Sequence, residues 1–312
     1  MVRISICICT FRRPELLRRL LQAVFSQEGF ADVLEVVVVD NDPAQSAAQV
    51  LTEFGHQYGS RLIALALQTP NISLARNAAI HAASADWISM VDDDECPGRD
   101  WLLNLFSAQQ KYQADVVFAP VVPEYQNGVP GWIRRGAYFD RRRLLTGTQI
   151  RHQDARSGNV LVRKQTLSAI YAGSPDAGPF DPAYGQTGGE DSMLFRQLDL
   201  AGARMIWCDE APVSEIVPAE RATATWLLNR SFRTGQLYMR TELACTPLKQ
   251  RRKRAVFLSI KAIVQAVAAL LFSVLLMLFA PLKAFSWLRT CVSQLGKLNH
   301  FRGRLFAAYG DK

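Results

Sequence analysis

The sequence lacks the short motifs that mark several common classes of enzyme. It has neither a G-x-x-x-x-G-K-[ST] phosphate loop nor a G-x-G-x-x-G fingerprint, which argues against NTPase and dinucleotide-binding readings. Histidine is scarce, with four in 312 residues, and no catalytic Ser-His-Asp set has local support. The six cysteines include no C-x-x-C pair and no zinc spacing. No disulfide framework is therefore predicted, in agreement with a reducing cytoplasm.

Strand and helix patterns alternate along the first two-thirds of the chain. The predicted strands are Val2–Cys9, Leu34–Val39, Leu62–Leu67, Trp87–Val91, Asp115–Val122, Asn159–Arg163 and Ile206–Cys208. The predicted helices include Glu15–Ser26, Ala44–Tyr58, Ser73–Ser84, Trp101–Tyr112 and Ala224–Met239. This alternation predicts an α/β fold with an open, mostly parallel central sheet. Ligands of such sheets bind beyond the carboxyl ends of the strands.

Three adjacent carboxylates, Asp92, Asp93 and Asp94, follow the fourth predicted strand. Carboxylates this close repel one another, so they need a cation or hydrogen-bond donors at the end of an apolar strand. Hard oxygen ligands suit Mg²⁺ or Mn²⁺, which proteins commonly hold through one or two carboxylates and substrate phosphates. The alternative is a solvated acidic turn. Polar clusters at the ends of the first two strands favour the metal site.

A second motif, Gly188-Gly189-Glu190-Asp191, opens a helix that is predicted to run through Leu200. The two glycines allow positive φ or the close approach of a ligand. Acids also favour the first turn of a helix for electrostatic reasons, so helix capping is the alternative. As a partner of the acidic triplet, Asp191 becomes a candidate general base.

Four further polar residues have two interpretations each. Asp40, at a strand end, either accepts hydrogen bonds from a base or ribose or caps a turn. Arg76, in an otherwise apolar helix start, either binds a carboxylate or phosphate or forms an ordinary surface ion pair. Arg230 and Arg233, on a late helix, either reach a diphosphate or form a solvated face.

Several separated motifs, taken in their order, resemble glycosyltransferase family 2 with its GT-A nucleotide-sugar-binding fold. They are Cys9-Thr10-Phe11-Arg12-Arg13-Pro14, Val39-Asp40-Asn41, Asn71–Asn77, Asp92-Asp93-Asp94-Glu95 and Gly188-Gly189-Glu190-Asp191. The resemblance covers about residues 2–240. Asn71-Ile72-Ser73, Asp100-Trp101-Leu102 and the stretch Trp226–Gln236 look like the bacterial succinoglycan-type exopolysaccharide β-1,4-glucosyltransferases.

The resemblance implies an inverting, metal-dependent transfer of glucose from UDP-glucose to a polyprenyl-diphosphate-linked oligosaccharide. It makes Asp191 the base, with Glu190 beside it in the catalytic motif, and it makes Asp94 and Asp92 the ligands of Mg²⁺ or Mn²⁺. The implied donor-binding residues are Thr10, Arg12, Asp40, Arg76, Asp92, Asp93, Arg230 and Arg233. Many GT-A enzymes add a late histidine ligand, but Val213-Ser214-Glu215 supplies none. We therefore expect the metal to be held mainly by Asp94, the diphosphate and water.

Positive charge is concentrated at the C-terminal end of the chain. Residues 249–312 carry twelve Lys or Arg and one acid, which leaves the first 248 residues with a net charge of −3. Ala262–Leu282 contains 21 residues without a charge, about 31 Å if helical and close to the hydrocarbon thickness of a bilayer. Basic residues beside an apolar stretch predict anionic lipid as a partner, and no nucleic acid. Crossing, shallow or re-entrant association and a buried soluble helix all remain open.

We therefore predict a GT-A domain at residues 1–245 and a basic, apolar, helical membrane-association segment at residues 246–312. The N-terminus runs straight into a strand, so no signal peptide is expected. The predicted location is the cytoplasmic face of the bacterial inner membrane.

Two other functions share some of these features. A nucleotidyltransferase also combines an α/β sheet with acidic metal ligands, but it would release pyrophosphate. The Gly-Gly-Glu-Asp motif and the lack of a basic, Gly-rich phosphate loop argue against it. A non-catalytic sugar-nucleotide-binding protein would bind UDP without transfer, and the presence of all the acidic motifs argues against that function.

Overall fold

The computed structural model describes residues 3–28, 33–171 and 178–303. Val2 of the first predicted strand and residues 304–312 of the predicted membrane segment lie outside the described residues. The described chain forms two compact units. The first contains residues up to 122 together with 141–215, and the second contains 123–140 together with the chain from 216 onward.

The secondary structure follows the predicted alternation. In chain order, the strands β1 to β10 of the described residues are Ile4–Thr10, Val33–Asp40, Leu62–Ala66, Trp87–Met90, Glu95–Pro97, Val116–Phe118, Val121–Tyr125, Val160–Arg163, Met205–Trp207 and Val213–Val217. Their α-helices α1 to α10 are Pro14–Phe25, Ala48–Tyr58, Ile72–Ala82, Trp101–Tyr112, Gly131–Arg135, Lys164–Tyr171, Glu190–Leu200, Ala224–Ala244, Leu248–Leu276 and Pro281–Asn299.

A seven-stranded sheet forms the centre of the first unit, in the order β3-β2-β1-β4-β8-β6-β9. The pairs β3–β2, β2–β1 and β1–β4 are all parallel, and so is the pair β6–β9. Strand β8 runs antiparallel to β4 and β6. The prediction of a mostly parallel central sheet is confirmed. Thr10 and Asp40 are register partners, so β1 and β2 end side by side.

The central sheet is buried on both faces because successive side chains of a strand point to opposite sides. Ile6 of β1 packs with Leu20 of α1 in one apolar core. Its neighbour Cys7 packs with Ala79 of α3 in a second core on the other face. The Val-rich sequence of β2 has the same cause, since Val37 and Val39 belong to the second core and Val36 and Val38 to the first.

A second, three-stranded sheet, in the order β5-β10-β7, was not predicted. The single strand predicted over Asp115–Val122 is in fact two strands, β6 and β7. Pro120 lies between them and has no N–H to donate to a ladder, so it marks the break. Strands β5 and β10 were missed because each is only three to five residues long. Their antiparallel pairing sets Glu95 opposite Glu215.

The second unit is mainly helical and includes α5, α8, α9 and α10. Helices α8 and α10 approach closely at two glycines. A Cβ at Gly235 would lie 1.9 Å from the Ser293 carbonyl oxygen, and one at Gly296 would lie 2.0 Å from that of Phe232. Glycine is therefore required at both positions.

The uncharged stretch Ala262–Leu282 is divided between two helices. Helix α9 ends at Leu276, and α10 begins at Pro281. Proline at the first position of a helix is compatible with that helix but cannot continue the one before it. Among the described residues, α9 is the single helix whose length and composition would permit a membrane crossing.

Candidate active site

Polar side chains at the ends of β1 and β4 meet in the first unit. Thr10, the last residue of β1, donates its hydroxyl hydrogen to Asp93 Oδ2 at 2.8 Å. Arg13, at the start of α1, donates from one nitrogen to Asp93 Oδ1 and to Asp94 Oδ2, each at 2.9 Å. The predicted convergence of the first and fourth strand ends is therefore present, since parallel strands end at the same edge of a sheet.

Asp93 is held in an environment that disfavours its charge. Its residue exposure is 5%, and burial raises the pKa of its carboxyl to about 6, although Arg13 and the Thr10 hydrogen bond oppose that rise. The side chain of Asp94 is only 11% exposed. A solvated acidic turn is thus the wrong interpretation of these two residues.

Arg76 joins the acidic triplet to the Gly-Gly-Glu-Asp motif. It lies on α3, whose N-cap Asn71 accepts a hydrogen bond from the Leu74 N–H at 3.1 Å. Its guanidinium donates to Glu190 Oε1, and its other terminal nitrogen donates to Asp92 Oδ1 at 3.0 Å. The Arg76 side chain is 10% exposed, so the alternative of an ordinary surface ion pair is wrong.

Glu190 is a buried carboxyl with incomplete hydrogen bonding. Its exposure is 4%, and its Oε2 atom has no hydrogen-bond partner among the described residues. Burial, with a smaller contribution from the charge of Asp191, raises the pKa of Glu190 to about 7, although the Arg76 charge opposes the rise. The Glu190 carboxyl therefore titrates close to neutral pH.

The two glycines before Glu190 set the direction in which the chain enters α7. Gly188 and Gly189 have φ of +77° and +90°, a region that residues with a Cβ seldom occupy. Asp191 follows in the first turn, where the helix N-terminus favours negative charge. Its Oδ1 accepts from the Ser192 N–H at 2.6 Å, and its side chain remains partly exposed. The position suits a base that must meet a substrate hydroxyl.

Asp40 has the turn-capping role that was one of its two interpretations. It is 1% exposed, and its two oxygens accept from the N–H groups of Asp42 at 3.0 Å and Ala47 at 2.8 Å. It also lines an open cavity of about 350 Å³ that α2 and β3 flank. Arg12, in the neighbouring turn, lies 3.4 Å from Asp42 Oδ1 and has a side chain that is 54% exposed. Their contacts to a nucleotide stay predictions.

Two residues of this network were missed from the sequence. Arg13, which pairs with Asp93 and Asp94, stands beside the predicted Arg12, and spacing alone does not separate two adjacent arginines. The second is Glu95, whose Oε2 accepts from the Asp92 N–H at 2.9 Å. Burial and the charge of Asp92 raise the pKa of Glu95 well above its usual range. The sequence signal that could have identified Glu95 is its position directly after the acidic triplet.

Gly158 provides the space that Glu95 occupies. A Cβ at Gly158 would lie 2.3 Å from Glu95 Oε1 and 3.1 Å from Asp92 Oδ2. A side chain here would therefore displace both carboxylates.

Asp92 and Asp94, the two predicted metal ligands, suit a divalent cation that the protein holds through only one or two carboxylates. The described residues contain no group of three or more His, Cys, Asp or Glu arranged to hold a metal. Asp92 is half-exposed, with a side-chain exposure of 45%, and Asp94 lies two residues further on. A hard cation that takes one or two carboxylates and completes its shell with phosphate and water fits this donor set. Glu215, in the stretch Val213–Glu215 that supplies no histidine, pairs with Arg141 at 2.8 Å.

Arg230 and Arg233 lie on α8 and belong to the second unit. The Arg230 guanidinium lies 5.2 Å from the ring centroid of Trp226 and 5.9 Å from that of Phe139. A cation over aromatic faces is stabilised by the ring quadrupoles. The predicted approach of both arginines to a diphosphate stays a prediction.

Comparison with solved structures shows the GT-A-like fold. The structure of S. aureus TarS residues 1–349 in complex with UDP aligns with a TM-score of 0.55 at 15% identity, covering 97% of this chain and 92% of that one. The same fragment in complex with UDP-GlcNAc gives a TM-score of 0.56, with coverage of 97% and 93%. At this identity the likeness concerns the fold, a mixed α/β architecture with a central sheet.

Comparison of sequences identifies the family. The chain is 30% identical over 239 residues to the succinoglycan biosynthesis protein ExoM of Rhizobium meliloti (strain 1021), a match that covers 77% of this chain and 75% of ExoM. It is 26% identical over 238 residues to the glycosyltransferase AglE of Haloferax volcanii, covering 75% and 72%. The sequence profile of glycosyl transferase family 2 matches residues 5–170. The chain therefore belongs to glycosyl transferase family 2, and the protein is a glycosyltransferase.

Proposed function

We propose that the protein is an inverting, metal-dependent hexosyltransferase. Its donor is a UDP-sugar, with UDP-glucose as the first candidate, and its acceptor is a polyprenyl-diphosphate-linked oligosaccharide of exopolysaccharide synthesis. The reaction takes place at the cytoplasmic face of the bacterial inner membrane. One observation carries the proposal: Arg76 connects Asp92 of the acidic triplet with Glu190, the neighbour of Asp191. Asp92, which we assign to the donor and the metal, and the helix start that carries the proposed base Asp191 thus belong to one network.

The names of similar proteins support the donor and the pathway. ExoM acts in succinoglycan biosynthesis, and TarS has been solved with UDP and with UDP-GlcNAc. We assign the nucleotide to the edge of the sheet near Asp40 and Thr10. Arg12, Arg76 and Asp93 complete the donor-binding set of the first unit, and we assign Arg230 and Arg233 to the diphosphate from the sequence resemblance.

The chemistry requires one carboxylate base. As the acceptor hydroxyl attacks the anomeric carbon, its proton passes to Asp191, and the bond to the UDP oxygen breaks on the opposite side. Direct displacement of this kind inverts the configuration at the anomeric carbon, and no covalent glycosyl–enzyme intermediate is needed. Glu190, fixed by Arg76, holds the first turn of α7 in place and so orients Asp191.

The metal site in this proposal consists of Asp94 and Asp92. The chemistry that a Mg²⁺ or Mn²⁺ ion supplies there is neutralisation of the negative charge that develops on the departing diphosphate. Arg13 already neutralises part of the charge on Asp94, at 2.9 Å from its Oδ2. This contact keeps the carboxylate in position.

The test is an assay of nucleotide release. The full chain is incubated with a panel of UDP- and GDP-sugars, Mn²⁺ or Mg²⁺ and a lipid-linked acceptor, and the released nucleotide is measured. We expect acceptor-dependent release of UDP that stops on addition of EDTA and is lost in Asp94→Ala. Pyrophosphate as the product would show a nucleotidyltransferase instead. UDP binding without any transfer would show a non-catalytic protein, and unchanged turnover in Asp94→Ala would contradict the metal assignment.

A further inference from the structure

Helix α9 presents an extensive apolar surface to solvent in the isolated chain. It is 29 residues long, about 43 Å. Leu271 and Leu275 are 66% and 65% exposed, and Leu278 and Phe279, in the turn that follows, are 87% and 84% exposed. Other large apolar side chains are exposed along the helix, among them Phe257, Ile260, Val264 and Val267. An apolar surface this extended marks an interaction site.

Among the described residues of the second unit, only a narrow stripe of α9 is in contact along its apolar part. Small residues form this stripe: Ala266 and Ala269 pack with Cys291 of α10. Ser273 donates its hydroxyl hydrogen to the Ala284 carbonyl at 3.0 Å, and the rings of Phe272 and Trp287 stack at 5.0 Å. The remaining circumference of α9 is therefore available to a partner.

On another face, α10 packs against aromatic and polar groups of the same unit. The Tyr138 hydroxyl donates to the Leu282 carbonyl at 2.9 Å, and the Arg289 Nε lies 3.4 Å from Ser231 Oγ. Near the end of α10, Gly296 lies against the backbone of Phe232. Helix α10, which itself carries Arg289, is thus packed between α9 and a layer that includes α8, whose sequence contains Arg230, Arg233 and Arg240.

We propose that α9 lies in the plane of an anionic membrane surface and enters one leaflet without crossing the bilayer. If α9 stood across the bilayer, α10 and the arginine-containing layer behind it would also enter hydrocarbon, where charged groups are costly. An in-plane helix buries its apolar face about 5–10 Å deep and leaves that layer in water. This inference rests on the proposed membrane association and is independent of the transfer chemistry.

The charges around α9 select anionic lipid over a second copy of the chain. Arg251, Arg252 and Lys253 are exposed in its first turns, Lys261 is exposed further along, and Lys283 is exposed beyond the turn. Two copies meeting through this face would bring like charges together. Anionic headgroups, in contrast, attract such a basic cluster.

The experiment uses the full chain and preformed, sealed vesicles of phosphatidylcholine with and without phosphatidylglycerol. We expect binding to the anionic vesicles, measured by co-flotation, and transfer of bound protein to an excess of fresh acceptor vesicles. An inserted crossing helix would not transfer. Leu271→Gln with Leu275→Gln should weaken binding about tenfold or more. The matched control is Leu145→Gln with Leu200→Gln, at exposed positions of the first unit, which should bind like the wild type.

A second variant tests the basic cluster. Changing Arg251, Arg252 and Lys253 to Gln should weaken binding to anionic vesicles roughly 100-fold, because each charge near the surface contributes about fivefold. Residual binding to neutral vesicles should not change. Equal loss on both lipid compositions would contradict an electrostatic role.

Several results would overturn the proposal. They are failure of the wild type to bind vesicles, binding that the leucine changes leave intact, irreversible binding without transfer, and lipid-independent self-association that these changes abolish. UDP release is measured in parallel with a soluble acceptor. Vesicle binding without UDP release would contradict the proposed enzyme function but not the membrane inference. UDP release without vesicle binding would contradict the membrane inference but not the proposed enzyme function.

Discussion

Two regions depart in opposite directions from the usual burial of apolar side chains and exposure of charged ones. They are the ion-pair network of Arg76, Asp92 and Glu190, and helix α9. Around Arg76 the molecule buries charges, and Glu190 is only 4% exposed. Along α9 it exposes large apolar groups, and Leu275 is 65% exposed. Buried polar groups and extended exposed apolar surfaces are the informative exceptions to the burial rule. These two departures are the reason that we propose donor binding in the first region and lipid binding in the second.

The two regions also differ in how they relate to stability. A buried ion pair contributes little net free energy, yet the loss of one partner is costly because the other charge is left in a low-dielectric environment. Exposed leucines contribute little to folding, so their replacement has a small effect on the isolated chain. Substitutions in the two regions should therefore separate activity, stability and membrane binding.

The largest effect is expected from Asp191→Asn. Removal of a general base lowers kcat by about 10³-fold, whereas donor binding should hardly change, because the role proposed for Asp191 concerns the acceptor hydroxyl. The measurement is steady-state UDP release together with calorimetric binding of UDP. Asp154→Asn, at an exposed acid of the same unit, is the control and should retain full activity. A loss below fivefold in Asp191→Asn would remove this residue from the base role.

The next effect is on stability and concerns Arg76→Met. This change leaves Glu190 and Asp92 without their shared cation, and we expect the free energy of unfolding to fall by about 3 kcal/mol. Urea denaturation measures it. Arg12→Met is the matched control, because the Arg12 side chain is 54% exposed and its pairing with Asp42 is screened by water. Equal losses in both variants would contradict the difference between buried and exposed pairs.

The pH dependence of stability tests the environment of Glu190. Its pKa in the folded chain is about 7, above its ordinary value, so the native state holds a proton that the unfolded state releases. The resulting stabilisation is present below about pH 4.5 and is lost as the pH rises through 7. Relative to Glu190→Gln, the wild type should lose roughly 2 kcal/mol between pH 5 and pH 8. If the wild type instead gained stability relative to Glu190→Gln as the pH rises, the Arg76 charge would lower the pKa of Glu190 by more than burial raises it.

The smallest effect is expected on α9. In lipid-free buffer, Leu271→Ala should change the free energy of unfolding by no more than about 0.5 kcal/mol. Leu20→Ala, at a fully buried position of α1, should cost about 2–5 kcal/mol. Thermal and urea unfolding of the two variants give the comparison. A large loss in Leu271→Ala would show that α9 is covered by protein rather than available to lipid.

Regular elements with a strong apolar pattern were predicted closely. Helix α4 has the predicted bounds, Trp101–Tyr112, and β2 extends the predicted Leu34–Val39 by one residue at each end. Short strands in the small sheet were missed, since three residues such as Glu95–Pro97 carry no periodicity. They are held by pairing with β10, which is distant in the chain.

The candidate site was predicted as a set of residues but not as a set of contacts. Asp92, Asp93, Glu190 and Arg76 were named from motifs, and the structure joins them. Two of these contacts, Arg13 with Asp93 and Arg76 with Glu190, join side chains that are 80 and 114 positions apart in the chain. The burial of Glu190, with one oxygen that has no hydrogen-bond partner among the described residues, depends on the same long-range packing. Sequence spacing does not report such distances.

Periodicity and composition are sufficient to predict the α/β alternation, the acidic strand ends and the separation of charge between the body of the chain and its tail. These properties are local, because they follow from the periodicity and composition of neighbouring residues. Contacts within the fold set which carboxyls are buried, which arginines pair with them, and that, among the described residues, the apolar part of α9 meets α10 through a narrow stripe of mostly small side chains. Burial and pairing depend on segments brought together by the fold, and so do the pKa values and the free surface that result from them.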